Sequence, residues 1–220
     1  MEAAFWHDRW ETNQIGFHQS ETNSTLRSRW KELQPTTSQV VLAPLCGKSQ
    51  DLVWLAQQGH TVIGVELSPI AIQDFFGEAN LGAVEQRTEG AFDVSSAGNI
   101  HLYCGNIFDL RLEDLPSAPT LIYDRAALIA LPFQMRSSYL NTINQLAPSG
   151  TKMMLLSLSY PESEMAGPPF SIPAELVHEL YGEAWNIVVE DKEDILHESK
   201  KFQDRGVSYL FEHTMILEKR

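Results

Sequence analysis

Apolar residues run almost unbroken through Val40–Leu45 and again through Thr61–Leu67, and between them Leu52, Val53, Leu55 and Ala56 recur at helical spacing. The pattern predicts a strand, an amphipathic helix and a second strand, with both strands buried on both faces as in a parallel sheet. Pro44 ends ladder pairing in the first strand, Gly47 lets the backbone pass close to a ligand, Ser49 caps the helix and Gly59 stops it. The rhythm then repeats. Ser68 and Pro69 open a helix that runs to about Ala79 and buries Ile72, Phe75 and Phe76. Ile100–Cys104 reads as a third strand, Thr120–Tyr123 as a fourth that stops at Asp124-Arg125, residues 132–146 as a helix and Lys152–Leu158 as a fifth strand.

Outside this core the texture changes. Residues 2–12 predict a helix with Trp6 and Trp10 one turn apart on a common face, followed by turn chemistry at Asn13–Gly16 and a second short helix over Ser24–Leu33 carrying Leu26, Trp30 and Leu33. Residues 1–34 thus form a helical lid, hinged at Pro35–Ser38 to an α/β core over 35–220. Residues 82–98 are polar and contain glycine, and read as an excursion. Tyr160–Pro173 holds four prolines and a glycine, which predicts a long loop. Glu175–Tyr181 is a short helix, and Trp185–Asp191 and Tyr209–Leu217 alternate like an antiparallel pair. The charged stretch 192–205 between them reads as a solvated connection.

Composition narrows the partners. The 220 residues are 43% hydrophobic, enough for one large core, and carry 29 acidic against 16 basic side chains for a net charge of −13. That balance leaves no counterion-release footprint for nucleic acid or anionic lipid, so a small molecule is the expected partner. Two cysteines, Cys46 and Cys104, make neither a disulfide framework nor a zinc set, and the seven histidines lack HxxxH spacing. No metal is expected. The first ten residues, MEAAFWHDRW, do not pattern as a signal peptide, and no stretch approaches the roughly 20 apolar residues of a membrane span. A reducing cytoplasm and a monomer are the expected setting.

The chemistry gathers at strand ends. Glu66 closes the second strand 19 residues after Gly47, a spacing that suits a ribose-binding acid. Two phosphate signatures compete for the turn. Gly47-Lys48-Ser49 matches the tail of a P-loop, whose first glycine would fall at Leu42. The dinucleotide fingerprint needs three glycines where this turn has one. A ligand with a ribose but no phosphate fits these residues better, and S-adenosylmethionine is such a ligand. Asp124 and Arg125 stand where ligands of open α/β sheets collect.

Several ordered segments carry a family resemblance. PLCGKSQDLVWLAQQGHTVIGVELS resembles the cofactor signature of the thiopurine S-methyltransferases, GNIHLYCGNIFDL their adenine strand and turn, IYDRAALIAL their fourth-strand motif and GPPFSIP their substrate-side loop. The resemblance implies a single domain of the class I S-adenosylmethionine-dependent methyltransferase fold: α/β, doubly wound, with a seven-stranded mostly parallel sheet whose last strand is antiparallel. It implies that Trp10, Leu45 and Gly47 contact S-adenosylmethionine, that Glu66 holds its ribose, and that Asn106 and Ile107 frame its adenine. Arg125 would lie near the methionine end or the substrate, with Phe17 and Lys201 on the substrate side. The acceptor would be an aromatic or heterocyclic thiol such as a thiopurine. Bacterial members also suggest selenium and tellurium compounds.

The reaction so implied is in-line displacement by a thiolate, with Arg125 stabilising the anion and Asp124 orienting it or taking a proton through water. Two other classes stay open at this stage. A module that binds S-adenosylmethionine without catalysis would keep Glu66 and the adenine turn but need no substrate loop. A nicotinamide-dependent oxidoreductase would need a pyrophosphate site, which one glycine serves poorly.

Overall fold

The computed structural model describes residues 3–220. The chain opens with α1 (Ala3–Glu11) and α2 (Ser24–Arg29), the latter continued by a 3-10 turn over Trp30–Leu33. The expected helix over 2–12 is therefore present among the described residues, while residue 2 lies outside them. The core then runs β1 (Val40–Pro44), α3 (Asp51–Gln57), β2 (Thr61–Glu66) and α4 (Pro69–Ala79). β3 (Glu85–Glu89), β4 (Phe92–Ala97), β5 (Ile100–Cys104), β6 (Leu121–Arg125), α5 (Phe133–Leu146) and β7 (Lys152–Ser159) follow. α6 (Ala174–Tyr181), β8 (Trp185–Asp194), α7 (Lys200–Gln203) and β9 (Phe211–Lys219) complete the chain.

The strands form one sheet in the order β3-β4-β5-β2-β1-β6-β7-β9-β8. The five in the middle, from β5 to β7, are parallel, and β9 inserts antiparallel to β7. Nine strands replace the seven expected. The two extra ones are the β3–β4 hairpin, which residues 82–98 form in place of the expected excursion, and β4 pairs antiparallel with β5. β3 carries no apolar alternation because it is a charged edge strand, a device that discourages pairing with other chains. β4 is anchored by buried Phe92 and Val94.

Strand alternation sorts the core into two layers. Val41, Ala43, Val62, Leu121 and Tyr123 face α2, α3 and α4, while Leu42, Ile63 and Ile122 face α5 and α6. This two-sided burial is what the continuous apolar runs in the sequence encode. Ser68 caps α4 as expected, its Oγ accepting the Ala71 N–H at 3.4 Å with Pro69 at the first helical position. The N-cap of α3 is instead Gln50, which makes no side-chain cap bond, and Ser49, one residue earlier, accepts the Asp51 N–H at 3.2 Å in a local turn. The charged stretch 192–205 is more ordered than expected, since β8 continues to Asp194 and α7 packs buried Phe202 against Tyr160, Met165 and Leu210. Among the described residues no helix is long and apolar enough to cross a membrane.

Candidate active site

β1 connects through α3 to β2 on one side, while its other neighbour, β6, arrives later in the chain, so the connections diverge between β1 and β6. Such a switch point opens a crevice beyond the carboxyl ends of the strands. A cavity of about 320 Å³ lies there, walled by the ends of β1, β2, β6 and β7, the N-terminal segment, the 160–173 loop and α7. The backbone leaves β1 and β6 sharply: Leu45 has φ +48° and Ala126 φ +69°, left-handed conformations that cost a side-chain-bearing residue about 1 kcal/mol or more. Both residues line the cavity.

The turn after β1 is tied to the end of β2. Cys46 N–H donates to the Val65 carbonyl at 3.0 Å and Gly47 N–H to Glu66 Oε2 at 2.9 Å, while Glu66 Oε1 accepts the Ser68 N–H at 2.8 Å. Glu66 is buried, and burial pushes its carboxyl above the usual range while the Ser68 and Gly47 N–H groups pull it back. Each carboxylate oxygen keeps a further lone pair for a hydroxyl. Gly47, at φ +54°, leaves room for the Trp10 ring, which an added Cβ would approach to 3.3 Å. Lys48 does not reach for a phosphate: its Nζ lies 2.6 Å from Glu78 Oε1 and 3.3 Å from Asp74 Oδ2, both on α4. Burial and the Glu66 charge hold the Cys46 thiol well above its ordinary value, so it is no nucleophile at neutral pH. The donor set fits a neutral ribose and gives a pyrophosphate little to hold.

At the end of β6 the period of two decides the chemistry. Tyr123 and Arg125 point to the cavity, and Asp124 between them points to the opposite face of the sheet. Asp124 is fully buried there, with Oδ2 accepting the Tyr139 hydroxyl at 2.8 Å and Oδ1 the Leu128 N–H at 3.2 Å. The expectation that Asp124 orients or deprotonates a substrate is thereby corrected, because the strand turns its side chain away from the cavity. The carboxylate beside Arg125 is instead Asp51, on the first turn of α3, whose Oδ2 accepts Arg125 Nη1 at 2.5 Å and the Tyr123 hydroxyl at 3.0 Å.

The N-terminal segment supplies the aromatic wall. Trp10 is buried against Gly47, and Phe17 meets Trp6 and Trp10 edge to face at 5.6 and 5.8 Å between centroids. Pro168, Pro169, Ile129 and Leu158 close the same space, with the solvent-exposed Lys201 at one end. The Lys201 ammonium has no ion-pair or hydrogen-bond partner among the described residues, and burial, with Arg205 and Arg9, lowers its pKa. His18, also on the wall, is held below its usual pKa by burial and Lys48 and is neutral at pH 7.

Trp10, Phe17, Leu45, Gly47, Glu66, Arg125 and Lys201 thus share one cavity. Asn106 and Ile107 lie outside its walls, in the 3-10 turn after β5, where Asn106 Oδ1 accepts the Phe108 N–H and Gly105 N–H donates to the Glu66 carbonyl at 2.9 Å. Asp51 and Glu212 were not legible as site residues. Glu212, at the start of β9, lines the cavity, accepts the Thr25 hydroxyl at 2.6 Å and is raised in pKa by burial. In sequence, an acid in the first turn of a helix reads as dipole compensation and one in a strand as a solvent-facing residue. Among the described residues no cluster of three or more His, Cys, Asp or Glu is placed to hold a metal ion.

Comparison with known proteins gives a concordant picture. The thiopurine S-methyltransferase from Pseudomonas putida is 46% identical over 212 residues, covering 96% of this chain and 97% of the relative. That from Xanthomonas axonopodis pv. citri is 42% identical over 220 residues, covering 100% of both. Among solved structures, an S-adenosylmethionine-dependent methyltransferase from Anabaena variabilis superposes with a TM-score of 0.67 at 15% identity, over 99% of this chain and 95% of that one. The N-methyltransferase NodS from Bradyrhizobium japonicum, in complex with S-adenosyl-L-homocysteine, gives a TM-score of 0.67 at 13% identity over 97% of both chains. At such identities these two carry the fold alone, an α/β architecture shared with S-adenosylmethionine-dependent methyltransferases. The family model described as thiopurine S-methyltransferase matches residues 1–220, and with the full-length relatives this places the chain: it belongs to the thiopurine S-methyltransferase family.

Proposed function

We propose that this protein is an S-adenosylmethionine-dependent S-methyltransferase acting on aromatic and heterocyclic thiols, thiopurines among them. The observation that carries the reading is the pairing, in one cavity, of a ribose acid locked to a phosphate-poor turn with an apolar aromatic slot ending at two cations. Glu66 would hold the ribose hydroxyls, with Leu45 and Gly47 shaping the floor and Trp10 covering it. Asn106 and Ile107, beyond the wall next to the Glu66 strand, would frame the adenine. S-adenosylmethionine, when bound, supplies an electrophilic methyl group on a sulfonium sulfur.

The chain's own residues do the rest by position and charge. Trp6, Phe17, Pro168 and Pro169 form apolar walls that suit a planar ring and exclude water. Arg125 presents guanidinium N–H groups to the cavity, and Lys201 adds an uncompensated cation at its end, so a sulfur anion is favoured over a neutral thiol. An aromatic thiol is substantially ionised near neutral pH, and no proton acceptor is required of the protein. Holding the two reactants in near-attack geometry accounts for about 7–11 kcal/mol of barrier reduction in well-oriented systems. The same reading takes the protein to be a monomer in a reducing cytoplasm, where two free thiols are at home. Methyl transfer from labelled S-adenosylmethionine to 6-mercaptopurine or thiophenol tests the reading. Turnover that Arg125→Lys cuts about tenfold or more supports it, and absence of transfer to any aromatic thiol by a protein that binds S-adenosylhomocysteine would leave only a binding module.

A further inference from the structure

Asp51 sits within the cofactor-signature segment but has no assigned role of its own, and its carboxylate is the most heavily engaged in the cavity. It is 1% exposed and takes three donors from two parts of the chain: Arg125 Nη1 and the Tyr123 hydroxyl, both at the end of β6, on Oδ2, and the Asn23 backbone N–H on Oδ1 at 2.8 Å. Asn23 in turn uses its side chain to cap α2, accepting the Leu26 N–H at 2.9 Å. One anion therefore joins the first turn of α3, the end of β6 and the point where the lid segment enters α2.

From this geometry we infer that Asp51 is the positioning residue for Arg125: it fixes the guanidinium by one edge, so that the remaining N–H groups of the fork face the acceptor, and registers the lid against the same point. The inference rests on the proposed role of Arg125. A guanidinium offers five donors in one plane, and a single carboxylate oxygen on Nη1, itself held by Tyr123, sets that plane without consuming the whole fork. Arg125 side-chain exposure of 15% leaves little room for reorientation about that contact. An amide cannot replace the carboxylate. Asparagine offers one acceptor oxygen where Asp51 serves donors on both, so its NH2 group would confront either Asn23 N–H or the Arg125–Tyr123 pair. Glu212, whose carboxylate feels Arg125 across the cavity wall, would then compete for the released guanidinium.

A double-mutant cycle on thiol methylation tests this, with kcat and KM measured for Asp51→Asn, Arg125→Lys and the two combined, and folding checked by circular dichroism. Each single change is expected to lower kcat/KM about tenfold, and the pair to fall no more than about twofold below Arg125→Lys alone, because a positioning residue has nothing left to position. Multiplying losses would overturn the inference, since Asp51 would then act independently of Arg125. A parental rate in Arg125→Lys is a different failure: it would remove Arg125 from the reaction and take the inference with it. If Asp51→Asn does not fold, the unmodified protein still decides. Slow guanidinium rotation, seen as resolved Arg125 Nη–H resonances in nitrogen-15 NMR, is expected, and a single averaged signal would overturn the inference.

Discussion

Glu66 ties the β1 turn to the end of β2 with the same carboxylate that the proposed function gives to the ribose, and substitution tests both uses. Its oxygens accept the Gly47 and Ser68 N–H groups, so Glu66→Gln would set an NH2 against one of these donors while also losing the charge offered to the ribose. Affinity for S-adenosylhomocysteine is expected to fall by about 1–3 kcal/mol in calorimetry. Unchanged affinity with an intact fold would take Glu66 out of the site. Asp124 behaves oppositely, because it faces the α5 side of the sheet and contributes to folding alone. Burial lifts its pKa from 3.8 to about 6 against the Tyr139 and Leu128 hydrogen bonds, so the folded state holds its proton more tightly than the unfolded chain. The stability it contributes is complete below pH 3.8 and is lost as pH rises through about 6. Asp124→Asn should remove that loss, gaining at most about 3 kcal/mol at pH 7 relative to its effect in acid, with methyl transfer close to the parent rate. Thermal unfolding across this range reads the first, and a large fall in rate would return Asp124 to the mechanism.

At the scale of elements, legibility in the sequence followed burial. β1, β2, β6 and β7 were readable because strands covered on both faces must be apolar throughout, and α4 because Ser68-Pro69 starts it unmistakably. The β3–β4 hairpin was not, since β3 sits at an edge and only alternate residues of β4 reach the core. Site residues divide the same way. Glu66 and Gly47 announce themselves through position in a strand-turn-helix unit, while Asp51 and Glu212 owe their meaning to neighbours 74 residues away and more, Arg125 for one and Thr25 for the other. The face occupied by Asp124 was available from strand alternation, given that Leu121 and Tyr123 pack on the α3 side. The hairpin's share in the core is testable at Phe92, which is 1% exposed, meets Tyr103 at 5.8 Å between centroids and fills the space over Gly105, where a Cβ would lie 2.5 Å from its ring. Phe92→Ala should cost about 3–5 kcal/mol in urea unfolding. A loss below about 1 kcal/mol would mean that the hairpin is peripheral after all.

Over the whole molecule, an acidic chain has placed at one end of its cavity a cation that has no ion-pair partner among the described residues. The net charge of −13 repels anions in general, whereas of the lysines and arginines lining the cavity Lys48 is compensated by Asp74 and Glu78 and Arg125 by Asp51, which leaves Lys201. This arrangement predicts the pH dependence of the reaction. Activity should rise with the acceptor's own ionisation, so thiols of lower pKa reach their plateau at lower pH and matched phenols, with pKa near 10, are poor acceptors at pH 7. It should fall again on the alkaline side as Lys201 loses its proton, earlier than an ordinary lysine would because burial, Arg205 and Arg9 all depress its pKa. The two limbs have different owners and separate accordingly: changing the thiol moves the acid limb, and Lys201→Arg, which cannot titrate in this range, should abolish the alkaline one while keeping the plateau within a few-fold. Rates of labelled methyl transfer for two thiols and their phenol counterparts, measured with both enzymes, decide the matter. An alkaline limb that survives Lys201→Arg would assign it to another group, and equal rates for thiol and phenol would end the thiolate mechanism altogether.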